Sequence, residues 1–169
     1  MPVKLVGEDL EEAISRMLEA VAQAGYASCG KDKRGVVIVK EGKVIGQGAN
    51  GPPPGFVCSP PYCEGICTVY SVHAEMRAIA YAVKHGFGQD LQDSRMYHAR
   101  TIEGFLVDSR KPRCAQCSKH LIEFGIRDFV LKHAEGYFLY PSDELHRLSL
   151  EYVKSKDKPA DPFDKKCIS

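Results

Sequence analysis

Two short segments constrain this chain more than anything else in it: His73-Ala74-Glu75 and Pro112-Arg113-Cys114-Ala115-Gln116-Cys117. Each stands where a helix is predicted to begin. Cys114 and Cys117 are three residues apart, so on a helix they share one face. Both side chains then lean back toward the helix N-terminus. His73 reaches the same point only if the start of its own helix faces the start of the other. The fold must therefore bring two helix N-termini together, although His73 and Cys114 are 41 residues apart.

The chemistry of that meeting point is that of a metal site. Two thiolates and a neutral imidazole balance the charge of Zn²⁺, and three protein ligands leave a fourth position open, which separates a catalytic zinc site from a structural one. Zinc lowers the pKa of a water it binds to roughly 7. The positive end of a helix also favours thiolate over thiol. Glu75 follows His73 by two residues. On a helix interior the two side chains diverge, but at a first turn both reach a site beyond the helix end, where Glu75 can move protons. The competing reading is a coincidental His-x-Glu on a solvated helix plus two core cysteines.

The rest of the chain reads as alternating elements. Leu10, Ile14, Met17, Leu18 and Val21 predict an amphipathic helix over Glu8–Ala24, with Gly25 as its stop. Gly35–Lys40 and Lys43–Gln47 read as a hairpin about Glu41-Gly42. Asn50–Tyr70 is a long Pro-, Gly- and Cys-rich loop, and loops of that length are usually functional. Val72, Met76, Ile79, Ala80 and Val83 predict a helix over Ser71–Lys84. Arg95–Thr101 reads as a strand, Ile102–Arg113 as either strand or loop, Cys114–Phe124 as a helix and Arg127–Leu131 as a strand. Gly136–Tyr140 reads as a short fifth strand. Ser142 is the expected N-cap of a last helix through Val153, with Asp143 and Glu144 favourable at its positive end. Such an order implies an α/β fold with helices on both faces of a sheet, mixed because of the hairpin. Residues 1–154 are expected to form one domain and residues 155–169 a polar tail, mobile or held by a partner.

Composition excludes several function classes. With 169 residues and a formal net charge of +1, the chain lacks the cationic excess that binding to a nucleic-acid backbone calls for. A small anion needs only one or two local arginines. No run of about 18 apolar residues suggests a membrane span, and the acidic start of the chain lacks a signal core. A cytoplasmic location is expected. Seven cysteines in a reducing compartment point to metal or catalysis rather than to disulfides.

With these residues in view, the chain resembles the cytidine and deoxycytidylate deaminase superfamily, whose signature is H-x-E followed by P-C-x-x-C. Gly48-Ala49-Asn50-Gly51-Pro52 is similar to the G-x-N-G-x-P loop of the deoxycytidylate enzymes, and the stretch Cys117–Ile126 is similar as well. The likeness runs from about Val36 to Leu131. It implies a three-layer α-β-α fold with a mixed five-stranded sheet. It also implies His73, Cys114 and Cys117 as zinc ligands, Glu75 as the catalytic proton shuttle, and Asn50 at the nucleotide sugar. Ala74, Arg77 and Arg113 complete the candidate substrate-binding set. The implied reaction is hydrolytic deamination of a nucleotide, foremost a cytosine monophosphate, in a homo-oligomer. Deamination of a free base or nucleoside, of a base within RNA or single-stranded DNA, and a zinc-stabilised binding domain without activity are the other readings.

The sequence departs from the family pattern in three places. Arg113 stands between Pro112 and Cys114, Arg77 occupies the Asn position of H-A-E-x-N, and the His73-to-Cys114 spacing is long. Arg77, Arg110, Lys111 and Arg113 are candidate phosphate ligands, because guanidinium groups match phosphate oxygens; the alternative is plain surface charge. Cys58, Cys63 and Cys67 either hold a second, structural zinc, with His85 or His98 as fourth ligand, or are reduced loop cysteines. Cys29 and Cys167 read as isolated thiols, and His120 as a helix-face residue. Tyr97 and His98 alternate on the strand that leads toward the zinc, so one lines the pocket and the other the core.

Overall fold

The computed structural model describes residues 1–59 and 66–156. The chain begins with a two-residue strand, β1 (Val3–Lys4), and helix α1 (Gly7–Ala24). The predicted hairpin is β2 (Lys33–Lys40) and β3 (Lys43–Ala49), and its turn places Glu41 and Gly42 at positive φ. A single helical turn, α2 (Cys67–Tyr70), interrupts the long loop before α3 (Ala74–Lys84). Strand β4 (Arg95–Ile102) turns through Glu103 and Gly104 into β5 (Phe105–Val107), which settles the strand-or-loop ambiguity of that stretch. Helix α4 (Ala115–Glu123), strands β6 (Asp128–His133) and β7 (Gly136–Pro141), and helix α5 (Ser142–Lys156) follow.

The strands form one sheet in the order β1-β7-β6-β4-β2-β3, with β5 paired to the end of β4. The five expected strands are its body, and the short β1 and β5 extend it. Only β4 and β6 run parallel; the other pairs are antiparallel. A parallel pair needs a crossover, and α4 lies on it. Helix α1 covers one face, against β2 and β4, while α3, α4 and α5 cover the other. Val36–Val39 is a continuous apolar run because both faces are covered: Val36 and Ile38 point toward α3, Val37 and Val39 toward α1. The two cores are thus separate layers on either side of the sheet.

The helix stripes differ from those the spacing of large residues suggests. In α1 the buried side chains are Ala13, Met17, Ala20 and Ala24, while Ile14 and Leu18 are exposed. In α3 they are Ala74, Glu75, Ala78, Ile79 and Ala82, with Val83 half exposed. Alanine faces let helices approach the sheet closely, and glycines on the strands complete the fit. A Cβ at Gly48 on β3 would stand 2.6 Å from both Ala74 O and Ala78 N of α3. One at Gly35 on β2 would stand 2.0 Å from Ala20 O of α1. Ser142 is the first residue of α5 rather than its cap: its hydroxyl donates to Ile126 O at 2.6 Å. The end of residues 1–154, the proposed domain, falls inside α5. The tail from residue 157 lies outside the described residues.

Candidate active site

Helix α3 begins one residue after His73, whose backbone is still extended at φ −71°, ψ 151°. Its predecessor Val72 exchanges two backbone hydrogen bonds with Gly51, at 2.9 and 3.1 Å, which pins the start of α3 to the end of the β3 loop. Cys114 occupies the matching position on α4. It caps that helix by accepting from the Cys117 backbone N–H at 3.2 Å. Two helices thus present their positive ends to one point.

At that point the three predicted ligands meet. His73 Nδ1 lies 3.0 Å from Cys117 Sγ and 3.4 Å from Cys114 Sγ, and the two sulfurs are 2.8 Å apart. All three ligand atoms lie within 4.8 Å of one another, and they form the one such group among the described residues. The hydrogen bond with Cys117 pulls the Cys114 thiol down to about 5, against its burial, and His73 adds to the effect. Cys117 moves upward, through the same pairing and through burial. The hydrogen bond to Cys114 raises His73 against the cost of burial. A convergent, part-buried imidazole and two thiols, one of them readily ionised, fit a divalent zinc with one open position. When bound, zinc acts as a Lewis acid that makes a water reactive at neutral pH.

Glu75 sits in the first turn of α3, buried, on the wall of the pocket that contains the triad. Beside it is His98 of β4, whose Nε2 lies 3.9 Å from Glu75 Oε1. The alternation on β4 is thereby resolved: Tyr97 belongs to the α1 layer and His98 to the pocket. Burial, partly offset by Glu75, pushes His98 down to about 4, so its imidazole is neutral near pH 7.

The pocket holds about 280 Å³. Asn50 lines it and is buried; its Oδ1 accepts from Arg34 N–H at 2.8 Å and its Nδ2 donates to Asp32 O at 2.7 Å. Those bonds fix the loop before β2, where Asp32 accepts from Arg34 at 2.7 Å and from Arg100 at 3.2 Å. Arg110, Lys111 and Arg113 also line the pocket, immediately before Cys114 in the chain. Among the described residues no carboxylate lies within ion-pair distance of these three; Arg113 instead stands 4.7 Å over the Tyr152 ring. Phe129, Leu131 and Leu145 supply an apolar floor.

Arg77 is placed differently from the sequence expectation. Its guanidinium donates to Gly51 O and Pro52 O, outside the pocket wall, so it braces the loop at the start of α3. The proposed second zinc cannot be placed: Cys63 and the Cys67 side chain lie outside the described residues. Cys58 Sγ accepts from Gly30 N–H at 3.2 Å. His85 stacks on Tyr81 at the far end of α3, and His98 lies beside Glu75. His120 stays off the pocket wall, as a helix-face residue. Sequence reasoning missed Asp32 and Arg34. Asp32 just precedes β2 and Arg34 lies at its start, and no local pattern in the sequence marks either as a pocket residue.

No curated protein matches the chain. Among solved structures it is similar to the deoxycytidylate deaminase of cyanophage S-TIM5, at 22% identity over 70% of this chain and 80% of that one, with a TM-score of 0.54. A second structure of that enzyme, in complex with dCMP and dUMP, gives 21% identity, 74% and 82% coverage, and a TM-score of 0.51. Cytidine deaminase from Burkholderia pseudomallei gives 18% identity, 78% and 94% coverage, and a TM-score of 0.55. Residues 8–133 match the family described as the cytidine and deoxycytidylate deaminase zinc-binding region. With the His73, Cys114 and Cys117 triad formed and that match spanning most of its length, the chain belongs to the cytidine and deoxycytidylate deaminase family.

Proposed function

We propose that this protein deaminates a cytosine nucleotide, foremost a monophosphate, to the uracil product and ammonia. The observation that carries the choice of a nucleotide is the run Arg110, Lys111 and Arg113. These cations line the pocket beside the triad and have no carboxylate partner among the described residues. Guanidinium groups in that position suit a phosphate in a bidentate way. Glu75 carries protons from the attacking water to the ring nitrogen and then to the leaving amine. Asn50, fixed by the Asp32–Arg34 loop, takes the sugar, and Ala74 lies along the wall where the base enters. The apolar floor suits a planar ring. No helix among the described residues is long and apolar enough to cross a membrane, and a site built on free thiols suits the cytoplasm.

The test is ammonia release across nucleotides, nucleosides and free bases, followed by charge removal. Arg110→Ala combined with Arg113→Ala should raise KM for the nucleotide about tenfold or more, the loss expected for hydrogen bonds to a charged group, and leave the nucleoside nearly unaffected. Arg77→Met should weaken both alike, because Arg77 braces the loop. Equal losses for nucleotide and nucleoside in the double variant would remove the phosphate role. Silence across the whole screen would leave a zinc-holding binding domain as the better description.

A further inference from the structure

His98 is a buried polar group that the reaction as written does not use. It is 3% exposed, on the face of β4 shared with Met96, and packs against the Phe129 ring at 5.8 Å. That is a place for an apolar side chain. An imidazole there has given up its hydration, and its Nδ1 is buried with no hydrogen-bond partner. Its other nitrogen faces Glu75 Oε1 at 3.9 Å. That separation exceeds a hydrogen bond, but active-site contacts tighten when substrate closes the site.

We propose that His98 is a positioning residue for Glu75, donating from Nε2 to its carboxylate and holding it toward the triad. The proposal rests on the deaminase reading of the same pocket. Three features support it. Glu75 is buried on the first turn of α3, with its carboxylate between Cys117 of the triad and His98. His98 is on the central strand of the sheet, paired on both sides, so its own position is rigid. A neutral imidazole has one donor and one acceptor. With the donor committed to Glu75, the buried Nδ1, which has no hydrogen-bond partner, is left as the acceptor. His98 therefore fixes the direction in which Glu75 delivers protons without exchanging them itself.

The test uses the zinc-loaded protein and the substrate found by the ammonia screen. His98→Leu should lower kcat roughly ten- to a hundredfold, the range for one hydrogen bond to a charged group, while KM changes less than about threefold and zinc content stays at one per chain. His98→Gln, which restores an N–H near the Nε2 position, should recover most of kcat. An unchanged kcat in His98→Leu, or a loss that His98→Gln does not recover, overturns the proposal. A second measurement does not depend on turnover. Long-range ¹H–¹⁵N spectra of the imidazoles should show His98 neutral and protonated at Nε2, with a signal displaced by Glu75→Gln. If that signal ignores Glu75→Gln, the pairing is overturned even if the protein deaminates. If no substrate releases ammonia but the signal moves, the deaminase reading falls and the His98–Glu75 pairing stands.

Discussion

Glu75 and His98 illustrate how much of this site is settled by single buried groups. Glu75 is buried on an alanine-rich helix face, beside Cys117 but outside the ligand group, and the proposed function gives its carboxylate the proton transfers. Glu75→Gln keeps the shape and removes the proposed base. Turnover should fall about a thousandfold, within the usual range for a positioned acid–base group, with zinc content unchanged. Loss of zinc together with activity would instead make Glu75 part of the metal site. His98 also sets a pH dependence. Its pKa in the folded protein lies near 4, below the ordinary value of 6.5. As pH falls from 6.5 toward 4 the unfolded chain takes up a proton that the folded one refuses, so stability drops through that window and not above it. Chemical denaturation at a series of pH values should show a shallower acid loss in His98→Leu than in the natural protein. Parallel curves would mean that His98 is already solvated.

At the scale of elements, the glycines of the hairpin decide how closely the site-bearing helix can sit. Gly48→Ala places a methyl group against the backbone of α3 at Ala74 and Ala78. Overpacking of this kind costs about 1–3 kcal/mol, and because His73 is the N-cap of α3 the strain reaches the triad. Both the melting temperature and zinc affinity should fall; a variant that loses neither would show that α3 has room to spare. The same alanine-on-glycine contact explains what the sequence could and could not disclose. Element order and the ligand triad were legible, because alternation, helix starts and the Cys114–Cys117 spacing are local patterns. The buried stripes of α1 and α3 were not. Periodicity weights Ile14, Leu18 and Val83, whereas close packing chose Ala13, Ala20, Ala78 and Ala82. Arg77 was misplaced for a related reason: its charge suggests a phosphate, but the carbonyls of Gly51 and Pro52 are brought to it only by the bridge from Gly51 to Val72. Asp32 and Arg34 entered the pocket through strand register, which no local pattern encodes. The two-residue β1 is too short for any periodicity to register.

For the molecule as a whole, the pocket lining carries Lys31, Arg34, Arg110, Lys111 and Arg113 against Asp32 and Glu75, while the net charge stays at +1. On the proposed nucleotide reading, that local excess suits a small anion without making the surface a general polyanion binder. Removing the metal with a chelator should lower the melting temperature as well as end turnover, since a ligand that binds only the folded state stabilises it, by about 4 kcal/mol when present at a thousand times its Kd. An unchanged melting curve would mean that the triad is held in place without the ion. The convergence of the α3 and α4 N-termini has a topological consequence too. A metal bridging His73 to Cys114 ties off a ring of chain that contains all of α3, β4 and β5, with its ends 41 positions apart. In the chain-entropy description of cross-links a ring of that size is worth about 4 kcal/mol, as a disulfide would be, though this one opens with acid or a chelator rather than with a reductant. The ion is then a removable clasp on the central strand of the sheet, and limited proteolysis after chelation should cut first within the ring it had closed.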